Sequence, residues 1–188
     1  MVYAPCTVET TLRSGRRVQI EEQTCYPFEE TVRLKVSLPE GRRRAENFPL
    51  DLRIPEWSDG YTLTVNGESV EAETVGERTI RLVRDWHDGD EVVIEFNAPV
   101  RVSYWYDKAA ERGPLVYSLR MEEQWRKHEF SGSRAVTYGE YYYEVTTPTE
   151  WNVALRNGDL QSDNIAEHFT VERRECSDRP WSSQAAPI

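Results

Sequence analysis

The sequence predicts an all-β chain, with an antiparallel β-sandwich followed by a second, smaller and incomplete β-rich unit. Apolar and polar residues alternate in residues 31–38, 50–54, 61–65 and 92–96. Such alternation places one face of each strand in a core and the other face in water. Asn66-Gly67 is the preferred pair for a two-residue type I′ hairpin, because both positions need a positive φ. The spacing between these strands leaves no room for the helical crossovers of a parallel sheet.

We expect the chain to divide near Leu119 into two domains, because the regular strand pattern stops there. The first domain, residues 1–119, is the predicted sandwich, and the second β-rich unit covers residues 120–188. The last residues, 181–188, show no strand pattern that would complete a sheet. We therefore expect the second unit to be truncated at its end.

Within these domains the local patterns are less regular. Residues 113–119 are apolar enough to predict a central strand, and residues 107–112 predict a polar loop or one helical turn. Residues 120–139 are charged and predict irregular structure. Strand character returns at residues 141–145 and 169–172, where β-branched and aromatic residues are frequent.

The charge of the chain excludes several classes of partner. Its 188 residues carry 33 acidic and 23 basic side chains, a net charge of −10, which argues against nucleic-acid or anionic-membrane partners. No apolar stretch approaches the ~20 residues of a membrane helix, and residues 1–5 lack a signal-peptide pattern. We expect a cytoplasmic protein. Its bias of arginine over lysine fits a high-salt source or a GC-rich genome equally well.

Metal and nucleophile motifs are weak in this sequence. Cys6, Cys25 and Cys176 are far apart, whereas zinc sites use closely spaced ligands. The three histidines are also isolated, and His87 falls in a predicted exposed turn. We therefore predict no metal ligand and no cofactor in this chain.

Carboxylates offer only a general candidate for catalysis. Two carboxylates about 5–10 Å apart can serve as a catalytic pair, and Glu56 with Asp59 is an example that the sequence does not exclude. Surface charge explains these acids better, so no catalytic residue is assigned. Arg53 and Arg112 are candidates for buried or interface ion pairs, since arginine donates in a fixed fork.

Aromatic residues give the best candidates for binding carbohydrate. Trp105 and Trp125 lie in irregular segments, and residues 141–143 are three consecutive tyrosines. Flat rings of this kind could stack on sugars, but packing in the core or in an interface is the favoured interpretation for all of them, less strongly for Trp105 and Trp125. Trp57 and Trp86 follow strand ends, and we expect them to close the sandwich by packing.

An ordered series of short motifs resembles one family over essentially the whole chain. The motifs are Tyr3-Ala4-Pro5, Gln23-Thr24-Cys25-Tyr26-Pro27-Phe28, Leu50-Asp51-Leu52-Arg53-Ile54-Pro55-Glu56-Trp57, Val65-Asn66-Gly67-Glu68, Trp86-His87-Asp88-Gly89-Asp90, Arg112-Gly113-Pro114-Leu115-Val116-Tyr117 and Trp151-Asn152-Val153-Ala154-Leu155. In this order they resemble the region after the catalytic barrel in the β-L-arabinofuranosidase-type glycoside hydrolases, with Glu56 standing where the family usually has glycine.

The resemblance implies that catalysis takes place in a domain other than this chain. In that family an (α/α)6 barrel holds a cysteine nucleophile, a zinc-bound cysteine cluster and a glutamate, and no residue of this chain matches that set. The favoured function is therefore a non-catalytic portion that packs on and stabilises such a barrel in its parent protein, with a homodimer contact as a further expectation. An independent carbohydrate-binding module is the alternative, and a self-contained enzyme is the third class.

Overall fold

The computed structural model describes residues 3–39, 45–104, 108–118, 121–150, 152 and 165–172. Strands predominate in these residues and pair antiparallel throughout, which confirms the predicted all-β class. The elements are β1 (Cys6–Thr11), β2 (Arg17–Thr24), β3 (Thr31–Ser37), β4 (Glu46–Arg53), β5 (Gly60–Val65), β6 (Glu68–Ser69), β7 (Glu73–Gly76), β8 (Thr79–Trp86), β9 (Glu91–Asn97), β10 (Val100–Tyr104), β11 (Lys108–Arg112), β12 (Leu115–Val116), β13 (Gln124–Glu129), α1 (Ser133–Tyr138), β14 (Tyr141–Thr146) and a 3-10 turn (Ile165–His168).

Two sheets form the sandwich. One has six strands in the order β1-β2-β3-β9-β5-β6, and the other has three in the order β4-β8-β7. The inward side chains of both sheets meet in a single hydrophobic core, which comprises Tyr3, Val18, Val32, Leu34, Val36, Leu38, Phe48, Leu50, Leu52, Ile54, Leu63, Val65, Ile80, Leu82, Trp86, Val92, Ile94 and Phe96. The alternation predicted in β3, β4 and β9 is thus confirmed, because the apolar residues predicted to face inward on these strands all belong to this core.

Turn chemistry fixes the register of the six-stranded sheet. Asn66 and Gly67 have φ of 53° and 82°, as a type I′ turn requires. The Asp90 carboxylate accepts a hydrogen bond from Asn66 Nδ2 at 2.9 Å and another from the His87 backbone N–H at 2.8 Å. Asp90 thereby joins the turn after β5 to the turn before β9, and both predicted turns are confirmed.

Both tryptophans predicted to close the sandwich do pack against its core. Trp86 is fully buried, and its Nε1 donates a hydrogen bond to the Phe48 carbonyl at 2.9 Å. Trp57 is half-buried, with ring centroids 6.4 Å from Tyr26 and 5.5 Å from Phe96. These contacts extend the aliphatic core with ring surface.

An edge position explains the proline within β4. Pro49 lies in the middle of an eight-residue strand that pairs with β8 on one side only within the described sheet. Proline cannot donate a backbone hydrogen bond, so it is tolerated in an edge strand. It also makes that edge a poor template for pairing with another chain.

One residue of the predicted inward faces is not buried. Tyr61 is 37% exposed, although Leu63 and Val65 of the same strand face the core. Tyrosine carries a polar hydroxyl on an apolar ring, so it can cover the core margin while its tip stays in water.

The prediction for residues 107–118 was wrong in two places. The expected loop or helical turn contains β11, which pairs with β10 through residues such as Ala110 opposite Val102. The expected central strand is β12, only two residues long at the edge of the described β10-β11-β12 sheet, with Val116 63% exposed. An apolar run predicts a strand but does not say which neighbours it has.

The prediction for the second unit was also partly wrong. Residues 120–139, expected to be irregular, contain β13 and the short helix α1, whereas β14 confirms the strand expected at 141–145. Residues 169–172, expected to form a strand, follow the 3-10 turn without strand pairing among the described residues. Strand propensity at a few residues does not form a strand without a partner to complete its hydrogen bonds.

The β10-β11-β12 sheet is fastened to the sandwich by an ion pair. Arg112 pairs with Glu30, and their side chains are 15% and 8% exposed. This confirms the predicted role of Arg112. Arg53 does not share it, because its side chain is exposed to solvent.

The described part of the chain contains short helical segments only. None of its helices has the length and apolar character needed to cross a membrane.

Candidate functional site

The structure describes one of the two tryptophans named as candidates for sugar binding. Trp105 lies outside the described residues. Trp125 lies on β13 and is 56% exposed, and its Nε1 donates a hydrogen bond to Glu123 at 2.8 Å. Its ring meets Tyr143 edge to face, with centroids 5.7 Å apart.

Trp125 belongs to an exposed aromatic surface on the two-stranded sheet of β13 and β14, here called the aromatic hairpin. The register pairs Trp125 with Val145 and Lys127 with Tyr143. Because successive side chains alternate between faces, these residues share a face with Tyr141. The Lys127 ammonium lies 4.2 Å from the centroid of the Tyr141 ring, in the geometry of a cation–π contact.

The opposite face of the aromatic hairpin carries a second ring cluster. His128 stacks on Tyr142, with ring centroids 4.9 Å apart and planes 14° from parallel. Phe130 lies 4.9 Å from Tyr142 and 6.0 Å from Tyr138 of α1. The imidazole Nε2 is 2.8 Å from a Glu144 carboxylate oxygen. Aromatic side chains therefore lie on both faces of this hairpin.

The ring orientations limit what this surface can bind. Tyr143 stands at 74° to Trp125 and at 77° to Tyr141. Rings at such angles cannot form one flat platform, so a sugar stacked on one of them would not lie flat on the next. The surface suits a ligand or partner that meets one ring at a time.

The acids considered for catalysis do not form an isolated pair. Glu56 is exposed, and the exposed Asp59 forms an ion pair with Arg101. Inverting or retaining glycosidases place two carboxyl groups across a sugar, one of them held protonated. An ion-paired, solvent-exposed Asp59 has no feature of such an acid.

The histidines and cysteines are dispersed over the structure. His87 is exposed in the turn between β8 and β9, as predicted, and His168 ends the 3-10 turn. Cys6 is exposed on β1 and Cys25 is half-buried, both as thiols, whereas Cys176 lies outside the described residues.

No three His, Cys, Asp or Glu side chains of the described ranges come together in a group that could hold a metal ion.

Buried acids are the functional features that the sequence reasoning did not identify. Glu22, Glu30 and Asp90 are 2%, 6% and 7% exposed. For Glu22 a signal was present in the sequence, because Glu22 continues the inward alternation of Val18 and Ile20 along β2. That pattern placed a carboxyl group in the core, where burial is costly unless the group is protonated or paired.

The environment of Glu22 fits this expectation. Its Oε1 accepts a hydrogen bond from the Ala4 backbone N–H at 2.7 Å, while its Oε2 has no hydrogen-bond partner among the described residues. Burial raises the pKa of this carboxyl above its ordinary value, and the Ala4 hydrogen bond lowers it to a smaller extent. Burial also raises the pKa of the neighbouring Tyr3 hydroxyl, and the charge of Glu22 adds to that effect.

Solved structures provide a comparison for the fold. A GH127 β-L-arabinofuranosidase from Geobacillus stearothermophilus T6 is 28% identical with a TM-score of 0.54; the match covers 83% of this chain and 28% of that one. A glycoside hydrolase is 21% identical (TM-score 0.53; 83% and 29% covered), and a GH127 β-arabinofuranosidase is 22% identical (0.51; 78% and 27%). This chain thus spans under a third of the length of each.

A family model identifies the family of the chain. No curated protein matches the chain. The family model described as "Beta-L-arabinofuranosidase, GH127 middle domain" matches residues 1–98, which is more than half of the 188 residues and includes both sheets of the sandwich. The chain therefore belongs to the GH127 β-L-arabinofuranosidase family, and its sandwich corresponds to the middle domain of that family.

Proposed function

We propose that this chain is the non-catalytic β-sandwich portion of a β-L-arabinofuranosidase-like glycoside hydrolase. Its role is to pack on and stabilise a catalytic (α/α)6 barrel that lies outside these 188 residues. The observation that carries the proposal is the match of residues 1–98 to a middle domain. Those residues form a complete two-sheet core, which gives a catalytic domain a rigid body to pack against.

The side chains of the sandwich support a structural role. Two of its buried acids have structural roles: Asp90 joins two turns, and Glu30 pairs with Arg112. Its exposed acids form surface ion pairs, such as Asp51 with Arg81 at 2.7 Å. An acid that catalyses glycoside hydrolysis needs a cleft and a carboxylate partner across the sugar. Neither requirement is met by these residues.

The aromatic hairpin supports a packing role outside the sandwich. Trp125, Tyr141, Tyr142 and Tyr143 are each between 45% and 56% exposed. Exposed apolar surface of this kind is typical of interfaces, and aromatic residues are enriched in the buried centres of interfaces. In the proposed parent enzyme this surface is covered by protein.

The first test is for activity of the chain alone. Purified chain is incubated with p-nitrophenyl β-L-arabinofuranoside, with and without added zinc, and release of nitrophenol is followed by absorbance. We expect no turnover above the buffer rate. Turnover that survives purification and disappears on substitution of a residue in this chain would contradict the proposal.

The second test is for stabilisation of a barrel. The catalytic barrel encoded by the parent gene is produced with and without residues 1–188, and its melting temperature and turnover are measured. We expect the barrel to melt at a lower temperature and lose activity faster when the sandwich is absent. A barrel that is equally stable and active in both forms, with a chain that binds arabinan oligosaccharides by itself, would favour the independent binding module.

A further inference from the structure

The segment of residues 3–5, which precedes β1, lies against both sheets of the sandwich. The Tyr3 ring is 6% exposed, and its centroid is 5.4 Å from that of Phe96 in β9. Its hydroxyl donates a hydrogen bond to the Arg53 carbonyl, at the end of β4, at 2.6 Å. Because β9 belongs to the six-stranded sheet and β4 to the three-stranded sheet, Tyr3 bridges the two layers. We call residues 3–5 the strap.

A second contact holds the strap to a buried acid. The Ala4 backbone N–H donates to Glu22 Oε1 at 2.7 Å, and the Glu22 side chain enters the core side of β2 with 2% of its surface exposed. Its Oε2 has no hydrogen-bond partner among the described residues. A half-satisfied buried carboxylate is costly, and release of the strap would expose this carboxylate to water.

We propose that the strap is a proton-dependent closure of the sandwich, which is tight when the Glu22 carboxyl is protonated and loosened when it is ionised. Ionisation has two opposed effects on closure. It strengthens the hydrogen bond from Ala4, because a charged acceptor binds an N–H more strongly. It also places a negative charge in the core, on a carboxylate whose Oε2 has no hydrogen-bond partner among the described residues. Burial is the larger of the two effects on this carboxyl, so ionisation favours the open strap.

Several other charged or titratable groups affect the pKa values of Glu22 and Tyr3. The amino terminus of the chain lowers the pKa of Glu22, which opposes the effect of burial. Burial is the main cause that raises the pKa of the Tyr3 hydroxyl, and the carboxylate of Glu22 adds to it, whereas the hydrogen bond to the Arg53 carbonyl and the positive charge of Arg53 lower it; Tyr26 raises it slightly. Tyr3 stays neutral across the physiological range, because even the ordinary tyrosine pKa of about 10 lies above that range. Glu22 is therefore the group in this cluster whose charge changes closure under acidic to neutral conditions.

The direction of the pH effect follows from proton linkage. An exposed glutamate releases its proton near its ordinary pKa of 4.5, whereas the buried Glu22 releases it at a higher pH. Closing the strap therefore favours binding of a proton, and closure becomes less favourable as the pH rises above about 4.5. Each unit of difference between the open and closed pKa corresponds to a ~tenfold change in the closing equilibrium.

The test measures closure directly by amide hydrogen exchange of the strap in the full chain. Protection of the Ala4 amide, whose N–H is bonded to Glu22 Oε1 in the closed strap, is corrected for the intrinsic exchange rate. It is measured between pH 5 and 8 for the unaltered protein, for Glu22→Gln and for Glu95→Gln; Pro5 has no N–H to follow. The amide introduced by Glu22→Gln keeps an acceptor oxygen for the Ala4 N–H but cannot ionise. Glu95 is an exposed acid on β9, and its replacement is the matched control.

We expect protection in the unaltered chain to fall several-fold as the pH rises, with the same slope in Glu95→Gln and no slope in Glu22→Gln. Equal slopes in Glu22→Gln and the unaltered chain would overturn the proposal. If Glu22→Gln does not fold, Tyr3→Phe decides, because it removes only the bond to the Arg53 carbonyl. It should lower protection at every pH and keep the slope, whereas strap protection that is independent of pH in the unaltered chain would overturn the proposal.

A version with two extra residues before Met1 separates the amino terminus from Glu22. Moving that positive charge away should steepen the pH dependence, because it removes a group that favours ionised Glu22. A slope that vanishes in this version would show that the amino terminus, and not Glu22, carries the pH response. That result would also overturn the proposal, and it leaves the proposed packing function unaffected.

Discussion

Trp86 in the sandwich and Trp125 in the aromatic hairpin are the same residue type on similar strands, with opposite outcomes. Trp86 is fully buried and donates to a backbone carbonyl, whereas Trp125 is 56% exposed and donates to a neighbouring surface glutamate. The strands of both regions pair antiparallel and carry aromatic residues. The difference is the second layer, because β8 faces a six-stranded sheet and β13 has only β14 beside it in the described part of the chain.

This contrast shows what strand pairing by itself can supply. A two-stranded sheet is marginally stable in water unless something packs against one of its faces. In the sandwich, the opposing sheet covers each inward side chain and removes it from water. This burial stabilises the fold by about 25 cal/mol for each Å² of apolar surface buried. In the aromatic hairpin, the rings contact one another but remain exposed. We therefore expect the two regions to respond differently to the same substitution.

The largest contrast is expected from replacing the two tryptophans. Trp86→Ala should lower the free energy of unfolding by about 3–5 kcal/mol, because it leaves a large cavity and removes the hydrogen bond to the Phe48 carbonyl. Trp125→Ala should cost less than about 1 kcal/mol, as expected for an exposed cross-strand contact. Urea denaturation followed by circular dichroism measures both. A similar cost for the two variants would show that the hairpin is packed against protein in the isolated chain.

A second contrast lies within the sandwich, between its two faces. Leu52→Ala and Ile94→Ala should each cost about 2–5 kcal/mol, since both side chains are buried in the core. Thr62→Ala on the exposed face of β5 should cost well under half as much. Thermal unfolding of the three variants provides the comparison. Equal costs would mean that the register of the six-stranded sheet differs from that described.

A third contrast introduces backbone strain into both regions. Gly67 and Gly139 have φ of 82° and 95°, and an added Cβ would meet no atom within 4 Å at either position. At Gly139, whose ψ is −179°, alanine costs about 1–3 kcal/mol. At the turn position of Gly67 it costs about 1–2 kcal/mol. We expect Gly67→Ala to lower the global stability of the sandwich by this amount. Gly139→Ala should leave global unfolding unchanged and increase hydrogen exchange only in β13 and β14.

The result for Gly139 also tests the predicted division of the chain near Leu119. If residues 1–119 and 120–188 are separate domains, strain in the hairpin does not reach the sandwich. A fall in sandwich stability on Gly139→Ala would show that the two parts unfold as one cooperative unit.

The smallest effect is expected from a surface ion pair of the sandwich. Arg81 donates two hydrogen bonds of 2.7 Å to the Asp51 carboxylate and holds the pKa of Asp51 below its ordinary value. The pair therefore contributes stability above the ordinary pKa of Asp51, and this contribution is lost as the pH falls through the lowered pKa. The gain is small, because the pair is exposed.

Titration of Asp51 by NMR in the unaltered chain and in Arg81→Ala measures this effect. We expect the pKa of Asp51 to rise in the variant. The matched pair in the aromatic hairpin is His128 with Glu144, and His128→Ala should leave the titration of Asp51 unchanged. An unchanged pKa of Asp51 in Arg81→Ala would contradict the assignment of its cause.

The sequence predicted much of the sandwich and little of the second unit. Period-two alternation identified the buried residues of β3, β4 and β9, and Asn66-Gly67 identified the turn between β5 and β6. The same reasoning missed β11 and β13, because short polar strands carry no alternation that separates them from loops. These segments are strands because they form hydrogen bonds with β10 and β14. A pattern read within each segment contains no information about those partners.

The candidate site shows a similar limit. The sequence named Trp125 as a candidate for binding sugar, which stays a prediction, and the structure shows that its ring is 56% exposed. The sequence also proposed an ion pair for Arg112, which forms with Glu30. It could not find the strap, because Tyr3, Glu22 and Arg53 are far apart along the chain. Only the closing of two sheets brings them together.

The sequence by itself therefore determined the all-β class, the inward faces of the main strands, the tight turns and the resemblance to a post-barrel region. These features depend on neighbouring residues, whose side chains alternate and whose turn positions need particular values of φ. The tertiary structure alone decided which strand lies at an edge, which acid is buried and which aromatic surface stays in water. Those outcomes depend on what packs against each face. Burial requires two layers in contact, and the sequence of a strand describes only its own layer.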